Sequence, residues 1–317
     1  MALHTWEFDA PTGTYKSHTL SSKVRNAAIQ TTKFMQFATP EPNFGKGKGE
    51  TITITRFGVL AQPTSVVLTE GVKIPEDTLS ITTTSFTVQE IGRAVPFTSL
   101  ADDLSRFSLD TQVQKSLRDQ LNIALDDLAA TAMTSTDVKV TAIPTGASSL
   151  TFDTDGTPST AATVNMGFYH VEQIRDYLFS TLRTPTYSND EYVGIFTTKG
   201  LRGLKQDPAY EEWYKYTMAD RKATGEVGKI ENIRFVETNN TNVLSGSAGT
   251  GGVLGEGVIF GDDFLAMIEV ETPELRAAIP ADFGRQKAAA WYGVIKFGIP
   301  WNTATAGQAK GVRVTSS

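Results

Sequence analysis

The pattern of apolar and polar positions changes period along the chain. Over residues 1–43, isolated aromatics (Trp6, Phe8, Tyr15, Phe34 and Phe37) stand among Thr, Ser and Pro without any period. This predicts an extended arm with at most a helical turn near Val24–Ile29. Such an arm cannot cover its own rings, so it is expected to lie against another surface. From Thr51 the period is two: Ile52 and Ile54 alternate with Thr51, Thr53 and Thr55, as in a strand with one covered face. A polar connection bearing Gly and Pro leads to a second β-rich run over 78–98, and together the runs predict a long two-stranded hairpin. A lone hairpin is marginal in water, so it must lean on its own subunit or on a neighbour.

From residue 99 the period is 3.6. A short helix is predicted at "SLADDLSRF", with Thr98 or Ser99 as N-cap. The strongest helix follows over Leu109–Thr134. Leu109, Val113, Leu117, Leu121, Leu125 and Leu128 form its apolar stripe, with Ser108 or Asp110 as the cap. Roughly 26 residues at 1.5 Å each span about 39 Å, long enough for a spine on which other elements lie. Strands broken by turns are expected over 135–160. A second helix is expected over 161–184, with Val164, Phe168, Val171, Ile174, Leu178 and Leu182 as its stripe and Pro185 as its end. A buried strand and short helix cover 191–206, an aromatic, partly helical excursion 207–222, and a turn plus strand 225–238. Asn239–Gly257 reads as a flexible Gly/Ser/Thr-rich surface loop. Late strands are expected at 257–272 and 288–301. The fold class is α+β, with no internal repeat.

Composition narrows the function. The chain has 317 residues, 40% hydrophobic and 20% charged, which suits a folded protein with a sizeable core. Its 29 basic and 35 acidic residues give a net charge of -6, which argues against clamping nucleic acid over a broad basic face. Cysteine is absent, which excludes disulfides, thiolate metal sites and thiol nucleophiles and suits a reducing cytoplasm. No signal peptide or membrane-spanning run is read from the sequence, so a soluble protein made inside a cell is expected.

Candidate chemistry is sparse. "GKGKGE" fails as a phosphate loop, because a glycine follows each lysine and a strand follows the whole, where that motif needs a helix N-terminus. It is better read as a hinge at Gly45, Gly47 and Gly49. His170-Val171-Glu172 has the His-x-Glu of zinc deaminases without their Cys pair, and reads as a polar helix position. With only His4, His18 and His170, a histidine-built site has little material. Asp153-Thr154-Asp155-Gly156 lacks the later ligands of a calcium loop and reads as a turn. The pairs Asp102-Asp103, Asp126-Asp127 and Asp262-Asp263 read as solvated faces, since adjacent helix residues do not face each other. No catalytic residue, cofactor site or metal site is expected, and the chain is not read as an enzyme.

The run "ITITRFGVLAQPTSVVLTEGVKIPEDTLSITTTSFTVQEIGRAVPFTSLADDL" resembles the hairpin region of tailed-phage major capsid proteins, in the branch typified by coliphage N-four. The matching features are Arg56, Leu68-Thr69-Glu70-Gly71 with Pro75 soon after, Ile91-Gly92-Arg93, and Thr98 before a helix. "QDPAYEEW", "GEVGKIENIRFVET", "GVIFGDDFLAMI" and "AAAWYGVIKFGI" are similar to that family in order and spacing, over roughly residues 45–300. The resemblance implies the Hong Kong ninety-seven-type capsid fold. Residues 1–43 would be the N-terminal arm, and 44–98 the extended hairpin (E-loop) and its base. Residues 99–160 would be the peripheral (P) domain with its spine helix, 161–275 mostly the axial (A) domain, and 276–317 a return to the P-domain and the C-terminus.

It further implies a subunit that assembles with itself into hexamers and pentamers of an icosahedral shell. That shell would enclose double-stranded DNA without sequence-specific binding and without a membrane, as a virion capsid assembled in the host bacterial cytoplasm. Portal and scaffolding proteins are implied partners, with a decoration protein as a further candidate. Arg56, Leu60, Val67, Leu68, Glu70, Lys73 and Ile74 are the expected inter-subunit contacts of the E-loop. Lys73 and Asn302 are the residue types that some capsids of this fold join covalently, but no such bond is expected here. The competing reading is another phage structural subunit, such as a tail-tube or decoration protein.

Overall fold

A computed structural model describes residues 30–316 except 31, 43, 59, 61–62, 64–65, 106–107, 144–149, 188–189, 209–227, 241, 245–254, 280–281 and 306. The first 29 residues, most of the aromatic excursion and the middle of the glycine-rich loop therefore lie outside the described residues.

A 3-10 turn (Met35–Phe37) and strand β1 (Ala38–Pro40) precede a two-stranded ribbon of β2 (Thr51–Phe57) and β3 (Ile81–Thr87). Then come β4 (Gln89–Thr98), α1 (Ser99–Leu104) and the spine α2 (Leu109–Thr134). Next are β5 (Lys139–Ala142), β6 (Leu150–Asp153), α3 (Phe168–Asp176) with a π-turn (Tyr177–Thr181), β7 (Tyr192–Thr197) and α4 (Arg202–Gln206). The chain continues through β8 (Lys229–Ile230), β9 (Ile233–Thr238), β10 (Gly255–Phe260), β11 (Leu265–Ala277), β12 (Gln286–Gly298) and β13 (Gly311–Ser316). As expected, the Thr98 hydroxyl caps α1 by accepting the Ala101 N–H, and the Ser108 hydroxyl caps α2 by accepting the Thr111 N–H.

Two larger sheets carry the molecule. One has four strands in the order β1-β11-β12-β4, the other seven in the order β6-β5-β13-β10-β7-β9-β8. β11 and β12 are 13 residues each, about 43 Å at 3.3 Å per residue. Their register shifts twice between Glu269 and Glu274, around Pro273, which has no N–H to give a ladder. One core packs Val171, Ile174, Leu178 and Leu182 of the α3 region against Val140, Phe196, Ile259 and Val314 of the seven-stranded sheet. A second core packs Leu117, Leu121, Leu125, Ala129 and Met133 of α2 against Trp291, Ile295 and Phe297, and against Ile195 and Val258 from the other sheet. The spine thus ties both sheets together.

Several expectations need correction. The run 78–98 is two strands broken at Val88: β3 pairs with β2, and β4 turns away to pair with β12. The second helix begins at Phe168, not 161. Residues 161–167 stay extended because the Thr163 N–H bonds to the Ala142 carbonyl while Ala162 and Met166 fill the core. Gly167 caps the helix by donating its N–H to His170 Nδ1 at 2.9 Å, and the Phe168 N–H reaches Asp207 Oδ2 at 2.8 Å. His170 is the polar helix position that was expected, and it is buried. The glycine-rich loop is shorter than expected, since β10 already runs from Gly255. A side chain at Gly255 or Gly257 would collide with the Gly200 backbone or the Phe196 ring, so these glycines serve close packing, not mobility.

On the spine, Leu109 and Val113 are half-buried and Leu117, Leu121 and Leu125 buried, but Leu128 is 38% exposed. Ala129, Ala130 and Met133 take the core positions instead, because the helix face turns toward two sheets at once. β5, β6 and β13 belong to the seven-stranded sheet, while β11, most of it before 276, belongs to the four-stranded one.

Candidate assembly interface

The ribbon's root is the Gly-Lys segment. Gly47 and Gly49 have φ of +82° and +90°, the left-handed region that glycine enters without a Cβ clash. Gly45 has no such angle, and a Cβ added at any of the three would meet nothing within 4 Å. Lys46 reaches Glu271 of its own subunit at 3.6 Å.

Along the ribbon, the pairs run from Thr51 opposite Thr87 to Phe57 opposite Ile81. One face is polar, with hydroxyl pairs Thr51–Thr87 at 2.9 Å and Thr53–Ser85 at 3.0 Å. The other face carries half-buried Ile52, Ile54, Arg56 and Phe86 and leans on the end of β12. Arg56 donates to the Pro300 carbonyl at 2.9 Å and lies 5.8 Å from the Trp301 ring centre. Arg56, expected as an inter-subunit contact, makes these contacts within its own subunit, because its alternation in β2 aims it at that covered face. It anchors the ribbon.

Beyond Phe57 the aliphatics lose their cover. Leu60, Val67, Leu68 and Ile74 are 50–83% exposed. Val66, Val72, Leu79 and Ile81 add to the patch. Glu70 stands exposed at a turn closed by Gly71, and Lys73 pairs with Glu76 at the surface. The sequence pattern missed Ile279 and Phe283, which stand out at the β11–β12 turn; the only signal for them was apolar residues in a Pro/Asp/Gly segment. Beside the ribbon's base, a groove of about 430 Å³ lies between Phe86, Ile91, Leu128, Ala132 and Phe297.

Of the acidic pairs, Asp262 and Asp263 are exposed as expected, whereas Asp102 and Asp126 depart from expectation. Asp102 accepts the Leu109 N–H at 3.1 Å and meets Lys287 at 3.5 Å. Asp126 is wholly buried rather than solvated, and accepts the N–H groups of Phe34 and Met35. Burial pushes its carboxyl above the usual range, against the lowering pull of those donors. Inside the seven-stranded sheet, buried Glu256 pairs with Arg313 at 2.8 Å, and Lys139 donates to the Thr134 carbonyl at 2.7 Å. Burial, then repulsion from Arg313, lowers Lys139 to about 8. Among the described residues no group of three or more His, Cys, Asp or Glu is placed to hold a metal ion. No helix among them is long and apolar enough to cross a membrane.

No protein-family model and no curated protein matches the chain. Solved structures do. The acid-stable capsid of Helicobacter pylori bacteriophage KHP30 is similar over 100% of both chains at 10% identity, with a TM-score of 0.73. The chain has the Hong Kong ninety-seven-type phage capsid fold. The capsid of Cyanophage Pam1 matches over 98% of each chain at 14% identity and TM-score 0.68. That of Ralstonia phage GP4 matches over 99% of this chain and 98% of its own at 13% and 0.67. In this capsid fold the ribbon β2–β3 occupies the place that the sequence assigns to the E-loop, and α2 that of the spine.

Proposed function

We propose that the chain is the major capsid protein of a tailed double-stranded DNA bacteriophage. It assembles with itself, through hexamers and pentamers, into an icosahedral shell around the genome. The observation that carries this is an aliphatic tip left open on a ribbon that Arg56 anchors in its own subunit, within a capsid fold matched from end to end. Burying one such side chain contributes about 1.5–3 kcal/mol. A tip this small makes less than a standard interface, so the shell depends on repeating it around a closed ring. Leu60, Val67, Leu68 and Ile74 would supply the apolar contact, with Glu70 and Lys73 at its rim. The role is structural rather than enzymatic. Portal and scaffolding proteins would take part in its assembly in the host cytoplasm, with a decoration protein as a further candidate.

Negative-stain microscopy of the purified chain should show closed icosahedral shells, whereas rods or monomers alone would overturn the function. Deleting residues 60–77 should leave a folded, soluble subunit without shells. Intact shells from that deletion would overturn the interface while leaving the function standing.

A further inference from the structure

Two segments 212 positions apart in sequence meet at one pair of carboxylates on the spine. From the arm root, the Phe34 and Met35 N–H groups donate to Asp126 Oδ1 at 2.7 and 3.2 Å. The Gln30 amide donates to Asp127 Oδ1 at 2.8 Å. From the stretch after β9, the Asn240 amide donates to the same Asp127 oxygen at 2.8 Å, and the Asn242 amide to Asp127 Oδ2 at 3.0 Å. Asn242 also donates to Gln30 Oε1 at 3.3 Å, joining the two segments directly. Asn240 Oδ1 accepts the N–H groups of Asn242 and Val243, and so holds its own segment in a turn. Phe34 and Leu244 are buried beside the pair.

Packing does not explain these carboxylates. Asp126 is wholly buried and its Oδ2 has no partner. The charged side chains next in sequence to this contact are Lys33, before Phe34 on the arm, and Asp127 on the helix, and the 239–243 stretch offers only asparagines and other uncharged groups among its described residues. A buried carboxylate without a bonded cation costs stability that an apolar residue would not. What a carboxylate adds is an acceptor that amides from two other segments can share.

We propose that Asp126 and Asp127 form a latch that docks arm-root residues 30–37 on the spine and ties them to residues 238–244. The two segments then dock and release together. This is a property of the single chain and does not rest on the shell-forming reading. Hydrogen exchange of the unassembled full-length subunit, read on peptides 30–37 and 238–244, tests it. Asn240→Ala alters only the second segment, yet peptide 30–37 should also exchange about tenfold faster, as expected for a lost charged hydrogen bond. Asp127→Ala should accelerate both peptides. Asp126→Asn retains an oxygen for Phe34 and Met35 and should preserve protection of 30–37. Unchanged exchange at 30–37 in Asn240→Ala and Asp127→Ala would overturn the latch. Acceleration spread evenly over the chain would overturn it too, because a latch acts only at its two segments.

Discussion

Gly47 and Gly49 show what a single residue contributes to the ribbon's root. Their left-handed backbone would cost an L residue about 1 kcal/mol, whereas Gly45 is under no such demand. Gly47→Ala and Gly49→Ala should each lower the yield of shells from equal amounts of folded subunit, and Gly45→Ala should not. Equal losses at all three would show that backbone angle is not the cause. Lys139 makes a different prediction, through its proton. Its folded value near 8 lies below the ordinary 10.5, so between those values the unfolded chain binds a proton that the folded chain has released. Stability contributed here is absent below pH 8 and grows as pH rises. Tyr187, whose hydroxyl burial raises, opposes this only near and above the usual tyrosine value of 10. The urea midpoint should therefore rise from pH 8 to 9.5, and Lys139→Met should flatten that rise; parallel profiles would contradict the assignment.

Elements were legible where one face meets one partner. The 3.6 period marked α2 with its caps, and the alternation of Ile52 and Ile54 marked β2, because each pattern follows from a single covered side. Legibility failed where an element serves two partners. Leu128 keeps the heptad-like spacing yet faces the open groove, since the spine turns its buried face between two sheets. Asp126 and Asp127 looked solvated because their partners come from the arm and from a stretch beyond β9, which spacing along one helix cannot show. The glycines at 255 and 257 looked mobile for the same reason: the rings and backbone they accommodate lie on β7 and the turn after it. These positions can be separated by measurement. Leu121→Ala should cost about 2–4 kcal/mol in urea unfolding, and Leu128→Ala under about 1 kcal/mol. A comparable loss at Leu128 would mean that the groove is closed in solution.

At the scale of the whole molecule, identities of 10–14% to phage capsids accompany a match along the entire chain. What is shared is the overall fold, and in this chain it comprises a spine between two sheets, an anchored ribbon and a tip left uncovered. The covered parts close within one chain, through two cores and the pairing of buried Glu256 with Arg313. The tip does not, and the proposed assembly follows from that imbalance. β13 adds a constraint of timing. It lies between β5 and β10, bonded to both, so the seven-stranded sheet is interrupted until residues 311–316 arrive. The middle of the sheet is its last part to be translated. A nascent chain therefore exposes the aliphatics around Leu68 for some time before its own body can close, and on a polysome, where sister chains grow side by side, that order makes early sticking the hazard to be avoided.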